Sequence, residues 1–232
     1  GATHSDVHKV PESDAARYAV LRRGILDPVP ASAPEERRGD HRNPVIIVLH
    51  GIRAGNESWV DDIGRQVEAR AANALAIGPT YQYFSLLDFA LPWVRSKKLR
   101  FFHDQYSEQL ARHPLARFCF VGHSNGTYLM GHSLERIAGM AFDRIALLGS
   151  VLPREYDWSK RFALSQVREV VNHRAAKDIP VAVACNLLRS FGIKDVGTAG
   201  VFGFNEPRQT FQEIYYYNGG HSAALETDNL QH

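Results

Sequence analysis

With 232 residues, 44% of them hydrophobic and 22% charged, the chain falls in the range of one compact globular domain with a sizeable core. A formal charge of +2, with Lys and Arg scattered among acids, provides no basic stripe and argues against a nucleic-acid partner. Two cysteines, Cys119 and Cys185, each lie inside an apolar run, so no disulfide framework is indicated and the expected compartment is the reducing cytoplasm.

The chain opens Gly1-Ala2-Thr3 without a methionine, which points to a cleavage scar, a processed precursor or a domain cut from a longer protein. No charged-then-apolar signal segment follows, and no apolar run reaches bilayer-spanning length. His4 and His8 have the spacing of helical metal ligands, but no third ligand is near and they read as part of a chain end. Residues 12–23 have the pattern of a short helix, and the proline-rich, mixed-charge stretch 24–43 reads as a linker. Residues 1–43 are therefore expected to form an N-terminal helix and linker, and residues 44–232 the main folded domain.

Regular structure is predicted to begin with Val45-Ile46-Ile47-Val48-Leu49, an apolar β-branched run without alternation, as in a strand buried on both faces of a parallel sheet. It ends at His50-Gly51. Ser58 can cap a helix in which Val60, Ile63, Val67 and Ala71 recur at helical spacing, and residues 74–77 offer a short second strand. The stretch 79–106 is dense in Tyr, Phe and Trp and leads into a helix ending near Arg112. Further strands are predicted over 117–121, 144–148, 167–171 and 211–217, with helices over 125–140 and 179–189. Strands alternating with helices predict a doubly wound, mostly parallel α/β sheet of about six strands with helices on both faces.

The tripeptide Gly-His-Ser occurs three times, beginning at Gly122, Gly131 and Gly220, so context must separate them. A G-x-S-x-G turn carries a strand into a helix so tightly that the serine is strained, and glycines two before and two after relieve the crowding. Gly122 and Gly126 flank Ser124 in that pattern, between a predicted strand and a predicted helix. Ser133 has Glu135 in place of the second glycine and lies in mid-helix, and Ser222 is followed by two alanines. Ser124 is the candidate nucleophile. Its place at a helix N-terminus also favours developing negative charge.

A base should come last in the chain, after the final strand, and Tyr217-Asn218-Gly219-Gly220-His221 places His221 there. The acid should follow the fifth strand. Asp178 is the choice, with Asp195, in a glycine-containing loop, as its rival; either would hold the histidine tautomer and stabilise its cation. Oxyanion stabilisation would come from the backbone N–H of Asn125 and from a second N–H after Gly51, that of Ile52 or else Arg53. Such donors are each typically worth roughly 3 kcal/mol in the transition state.

Taken together, Leu49-His50-Gly51, Gly122-His123-Ser124-Asn125-Gly126, the Asp178 loop and Gly220-His221 resemble the α/β-hydrolase superfamily, over about residues 44–225. The resemblance is to its lipase-like and esterase-like members, and implies hydrolysis of carboxylic esters through an acyl-serine with no metal or organic cofactor. A thioesterase, acyltransferase or peptidase of the same fold, or a binding module without turnover, is the alternative. Members of the superfamily often insert a helical cap between the fourth and fifth strands, and here that interval, 149–166, is too short for one. Tyr81, Phe84 and Trp93 of the aromatic segment become the candidates to line the acyl pocket, with strand and core packing as the competing reading. The basic residues Arg95, Lys97, Lys98 and Arg100 after Trp93 leave contact with a membrane surface open. The expected ligand is a small acyl ester or lipid.

Overall fold

The protein is described by a computed structural model covering residues 44–51, 58–70, 73–79, 89, 91–175, 193, 195–205, 211–216, 220 and 222–225. The expected N-terminal helix and linker, and the helix over 179–189, lie outside these residues. Six strands form one sheet: β1 (Val45–Leu49), β2 (Leu75–Ile77), β3 (Phe118–His123), β4 (Phe142–Leu148), β5 (Val167–Ala175) and β6 (Phe211–Tyr216). Their order is β2-β1-β3-β4-β5-β6, and every pairing is parallel. The helices are α1 (Ser58–Arg70), α2 (Pro92–Arg112), α3 (Asn125–Arg136), α4 (Trp158–Ala163) and α5 (Ala199–Phe202).

From β1 the chain first steps outward to β2, then returns across β1 to β3 and continues in that direction to β6. Because parallel crossovers are right-handed, the reversal puts α1 on one face of the sheet and α2 and α3 on the other. It also creates a crevice beyond the C-terminal ends of β1 and β3, the place where ligands bind in open α/β sheets. Val45, Ile47, Leu49 and Phe120 are almost completely buried, as expected of central parallel strands covered on both sides. Phe120 meets Phe102 of α2 edge-on at 5.8 Å between ring centroids, and Tyr106 meets Phe142 at 5.4 Å. These aromatic contacts lock α2 onto the sheet.

The interval between β4 and β5 contains α4 alone. Val151, Leu152, Tyr156 and Trp158 from this interval are core residues, so it packs down on the fold rather than covering a site. Behind it, Arg161 is buried at the C-terminal end of α3. Its Nη1 donates to Leu134 O at 2.7 Å, and Gln166 Nε2 donates to Leu134 O and Ile137 O at 2.8 and 3.0 Å. A cation at this end complements the helix dipole and satisfies terminal carbonyls.

Several boundaries differ from those expected. Helix α3 stops at Arg136 instead of Met140, because Ile137 adopts extended geometry and side chains from the next segment take the carbonyls. Strand β3 continues through Gly122 and His123, and β4 begins two residues early at Phe142. Strand β5 is the largest correction, since it runs on past Val171 to Ala175 and carries His173 and Arg174. Polar pairing with β6 sustains it: Arg174 Nη1 meets Glu213 Oε2 at 2.6 Å, and His173 Nδ1 meets Tyr216 Oη at 3.0 Å with the rings stacked.

Burial holds the His173 pKa down at about 4, from an ordinary 6.5. Below pH 6.5 the unfolded chain takes up a proton that the folded chain refuses until about pH 4. Stability from neutral His173 is thus present above pH 6.5 and lost as pH falls through that window. Urea unfolding should therefore show the wild type losing about 2 kcal/mol more than His173→Gln between pH 7 and pH 5; equal losses would refute the assignment.

Candidate active site

Ser124 occupies the single residue between the end of β3 and the start of α3. Its backbone sits at φ 51° and ψ −117°, a conformation that residues with a Cβ rarely adopt. Three hydrogen bonds hold it there. Ser124 N donates to Leu148 O at 3.0 Å, while Ser124 O accepts from Thr127 N at 2.9 Å and from Thr127 Oγ1 at 2.7 Å. The Thr127 hydroxyl in turn accepts from Val151 N at 3.2 Å, which ties the turn to the segment after β4.

Glycines make the turn possible. A Cβ at Gly126 would lie 2.6 Å from Leu49 O and 2.9 Å from Leu49 Cβ, so only glycine lets the first turn of α3 settle on β1. A Cβ at Gly122 would meet the Phe120 ring at 2.4 Å. Across the crevice, a Cβ at Gly51 would lie 2.8 Å from Ser124 Cβ and 3.4 Å from Ser124 Oγ. The loop leaving β1 therefore passes its backbone directly against the serine side chain. His123 is buried beside them, with Trp59 of α1 edge-on at 6.0 Å, and His50 is buried with Nδ1 2.8 Å from Gly51 O.

The two other Gly-His-Ser sequences behave differently. Gly131 is in mid-helix, where its missing side chain admits Leu152, and Ser133 is fully buried, donating to Leu129 O at 2.5 Å and bonded to His103 Nε2 at 2.9 Å. No substrate can reach it. Ser222 lies in an exposed turn after β6.

The rival acid, Asp195, is already engaged. Arg95 Nη1 lies 2.8 Å from both of its carboxylate oxygens, and Tyr128 Oη donates to Oδ2 at 2.7 Å. Burial raises its pKa, but the Tyr128 hydrogen bond and the Arg95 charge outweigh that and hold the carboxyl below the usual range. Asp178, His221, Ile52, Arg53, Tyr81 and Phe84 lie outside the described residues. Asn125 is the first residue of α3 and is buried. Trp93, in the first turn of α2, is 67% exposed, so it does not line a closed pocket. The basic run after it does not form one surface, because Arg95 turns inward to Asp195 while Lys97 and Arg100 face solvent. Thr127 and Tyr128 carry no signal in the sequence, and nothing there marks Asp195 and Arg95, so far apart, as partners of Tyr128.

No protein-family model matches the chain, and no curated protein matches it. Among solved structures, TT1662 from Thermus thermophilus is similar at 12% identity and a TM-score of 0.52, with 82% of this chain and 86% of that one covered. The likeness is one of fold. In this chain the order β2-β1-β3-β4-β5-β6, with a strained serine joining the third strand to its helix at the crossover point, is the setting of a nucleophile turn at the top of an α/β-hydrolase sheet. The chain has the α/β-hydrolase fold. Two further similar structures are a predicted CIB-like hydrolase from Thermoplasma acidophilum and MGS-M2, an alpha/beta hydrolase enzyme from a Medee basin deep-sea metagenome library. The first is 13% identical with a TM-score of 0.46, covering 83% of each chain. The second is 12% identical with a TM-score of 0.44, covering 83% of this chain and 87% of its own. Among the described residues no group of His, Cys, Asp or Glu is placed to hold a metal ion, and no helix is long and apolar enough to cross a membrane.

The turn's packing separates glycines that matter from those that do not. Gly126→Ala should destabilise the protein by about 1–3 kcal/mol, since the new methyl meets backbone that cannot yield. Gly64→Ala in α1, whose Cβ would find ordinary contact at 3.7 Å from Ala76, should stabilise it by about 0.5–1 kcal/mol through helix propensity. Thermal unfolding that ranked the two the other way would overturn this picture of the turn.

Proposed function

We propose that the protein is a serine hydrolase that cleaves carboxylic esters, with Ser124 as nucleophile, His221 as base and Asp178 as the acid that orients it. The observation that carries this reading is Ser124 itself: a half-buried serine at positive φ, at the crossover crevice, with the Gly51 backbone pressed against its side chain. Strain of this kind, over-determined by hydrogen bonds, belongs to functional sites. Ser133, in the middle of α3, has its hydroxyl buried instead.

Chain reach supports the other two members. Strands lie about 4.8 Å apart, so β5 is about 10 Å and β6 about 14 Å from β3 along the same sheet edge. Asp178 follows the end of β5 by three residues and His221 follows the end of β6 by five, spans of up to about 10 and 17 Å. Both side chains can therefore come back over the edge toward Ser124. The engagement of Asp195 with Arg95 and Tyr128 favours Asp178 as the acid.

In the reaction, Ser124 Oγ attacks the acyl carbon while its proton passes to His221. The oxyanion accepts hydrogen bonds from the backbone N–H of Asn125 and of Ile52, whose approach depends on Gly51. Collapse expels the alcohol, protonated by His221, and leaves an acyl-serine. Water, deprotonated by His221, then releases the carboxylic acid and restores the serine.

A fluorophosphonate probe should label wild-type protein at Ser124 and leave Ser124→Ala unlabelled. Turnover of p-nitrophenyl esters should fall by roughly 10³–10⁴-fold in His221→Asn and Asp178→Asn, with Asp195→Asn much less affected. Labelling or turnover that survives in Ser124→Ala defeats the proposal.

A further inference from the structure

The half-buried cluster around Asp195 lies one helical turn along α3 from Ser124 and has no part in the chemistry above. Tyr128 follows Ser124 by one helical turn, on the same side of α3, and its side chain leans toward the helix N-terminus. Its hydroxyl meets Asp195, its ring packs edge-on against Phe89 at 4.9 Å, and the Arg95 guanidinium lies over the Phe89 ring at 5.7 Å. On the next turn, His132 Nε2 lies 3.0 Å from the Asp195 carbonyl oxygen. Four separate pieces of chain thus converge: the Phe89 segment, the first turn of α2, α3, and the segment that leads into α5.

That last segment continues against the stretch that follows β4. Gly197 N donates to Val151 O and Gly200 N to Ser150 O, both at 2.8 Å, and a Cβ at Gly197 would lie 2.4 Å from Pro153 Cα and one at Gly200 2.4 Å from Ser150 N. The same stretch, Ser150 and Val151, contacts Thr127 behind the Ser124 turn. The segment following Asp195 is therefore fastened to the site at one end by backbone and at the other by the Arg95 ion pair. Phe89 touches both the Tyr128 ring and the Arg95 guanidinium of the same cluster.

We infer that the Arg95–Asp195 ion pair, with Tyr128, is a positioning lock for the segments packed beside the first turns of α3, that these segments wall the site at Ser124, and that the lock so determines which apolar acyl chains the site accepts. This rests on the serine-hydrolase reading. Arg95 reaches both carboxylate oxygens through one nitrogen, Nη1, with its side chain only 13% exposed. An ammonium in the same place can make both contacts, so lysine should serve where a neutral side chain cannot. A lock that acts on the walls should change discrimination between acyl chains more than it changes the attack of Ser124.

The test compares kcat/KM for p-nitrophenyl octanoate and p-nitrophenyl acetate, together with fluorophosphonate labelling of the wild type, in Arg95→Met, Asp195→Asn, Arg95→Lys and Tyr128→Phe. The octanoate-to-acetate ratio should fall about fivefold or more in Arg95→Met and Asp195→Asn, fall less in Tyr128→Phe, and return to within about twofold of wild type in Arg95→Lys. If Arg95→Met or Asp195→Asn fails to fold, Tyr128→Phe, which keeps the ring packing, carries the same comparison. A ratio unchanged in the folded variants, including one where both esters lose activity together, overturns the lock, as does a ratio that lysine leaves lowered. With wild type labelled at Ser124, such results overturn this inference alone; an unlabelled wild type overturns it together with the reading it rests on.

Discussion

The positive φ of Ser124 is the constraint around which the rest of the molecule is arranged. A non-glycine residue in that region costs on the order of 1–3 kcal/mol and persists only where its surroundings leave it no alternative. Here the surroundings are specific. The Ser124 N–H is taken by Leu148 O of the neighbouring strand, and its carbonyl is taken twice by Thr127. Gly126 lets α3 descend until it touches Leu49, and Gly51 lets the β1 loop close in from the other side. If α3 stood off by the thickness of a methyl group, the turn could relax, and the serine would lose its orientation.

The remainder of α3 keeps that first turn in place. Its middle is pressed against the sheet side by Leu152 and Tyr156, whose hydroxyl donates to Gly131 O at 2.8 Å. Its far end is closed by Arg161 and Gln166. Helix α2 packs along it and contributes both His103 to the buried Ser133 and Arg95 to Asp195. A helix fixed along its whole length by side chains from three other segments acts as a rigid mount, and rigid mounting is what a strained residue at its N-terminus requires.

The fold was legible because its signal is periodic and local. Continuous apolar runs marked β1 and the cores of β3 and β4, and glycine spacing singled out Gly122-His123-Ser124-Asn125-Gly126 from two identical tripeptides. What was illegible depends on partners distant in sequence. Nothing in Asn172-His173-Arg174-Ala175 looks like a strand until β6 supplies Glu213 and Tyr216. Arg95 reads as one of a basic group, and Asp195 as a free acid, until the fold brings them together from 100 positions apart. Trp93 shares an aromatic-rich stretch with Phe89, yet helix geometry sends Trp93 to solvent while Phe89 is buried against Tyr128.

The sheet also changes character from one side to the other. Around β1 and β3 the strands are held by apolar and aromatic packing, whereas the C-terminal ends of β5 and β6 are joined by directional contacts. Arg174 is paired with Glu213, His173 with Tyr216, and Asn172 Nδ2 donates to Ala199 O at 3.1 Å while Phe204 N donates to Glu213 Oε1 at 3.2 Å. Gly203, at φ 74°, brings its backbone so near that a Cβ would lie 2.5 Å from the Glu213 carboxylate. Apolar packing tolerates small slips of one strand against another, but a slip at β5 or β6 would break charged and hydrogen-bonded partners together. The polar edge therefore fixes where the last residues of these two strands stand. Those residues, Ala175 and Tyr216, are in register with each other and are the roots from which the chain departs toward Asp178 and His221. In the proposed Ser124–His221–Asp178 triad, precision at these roots would limit the error that connections of three and five residues can accumulate.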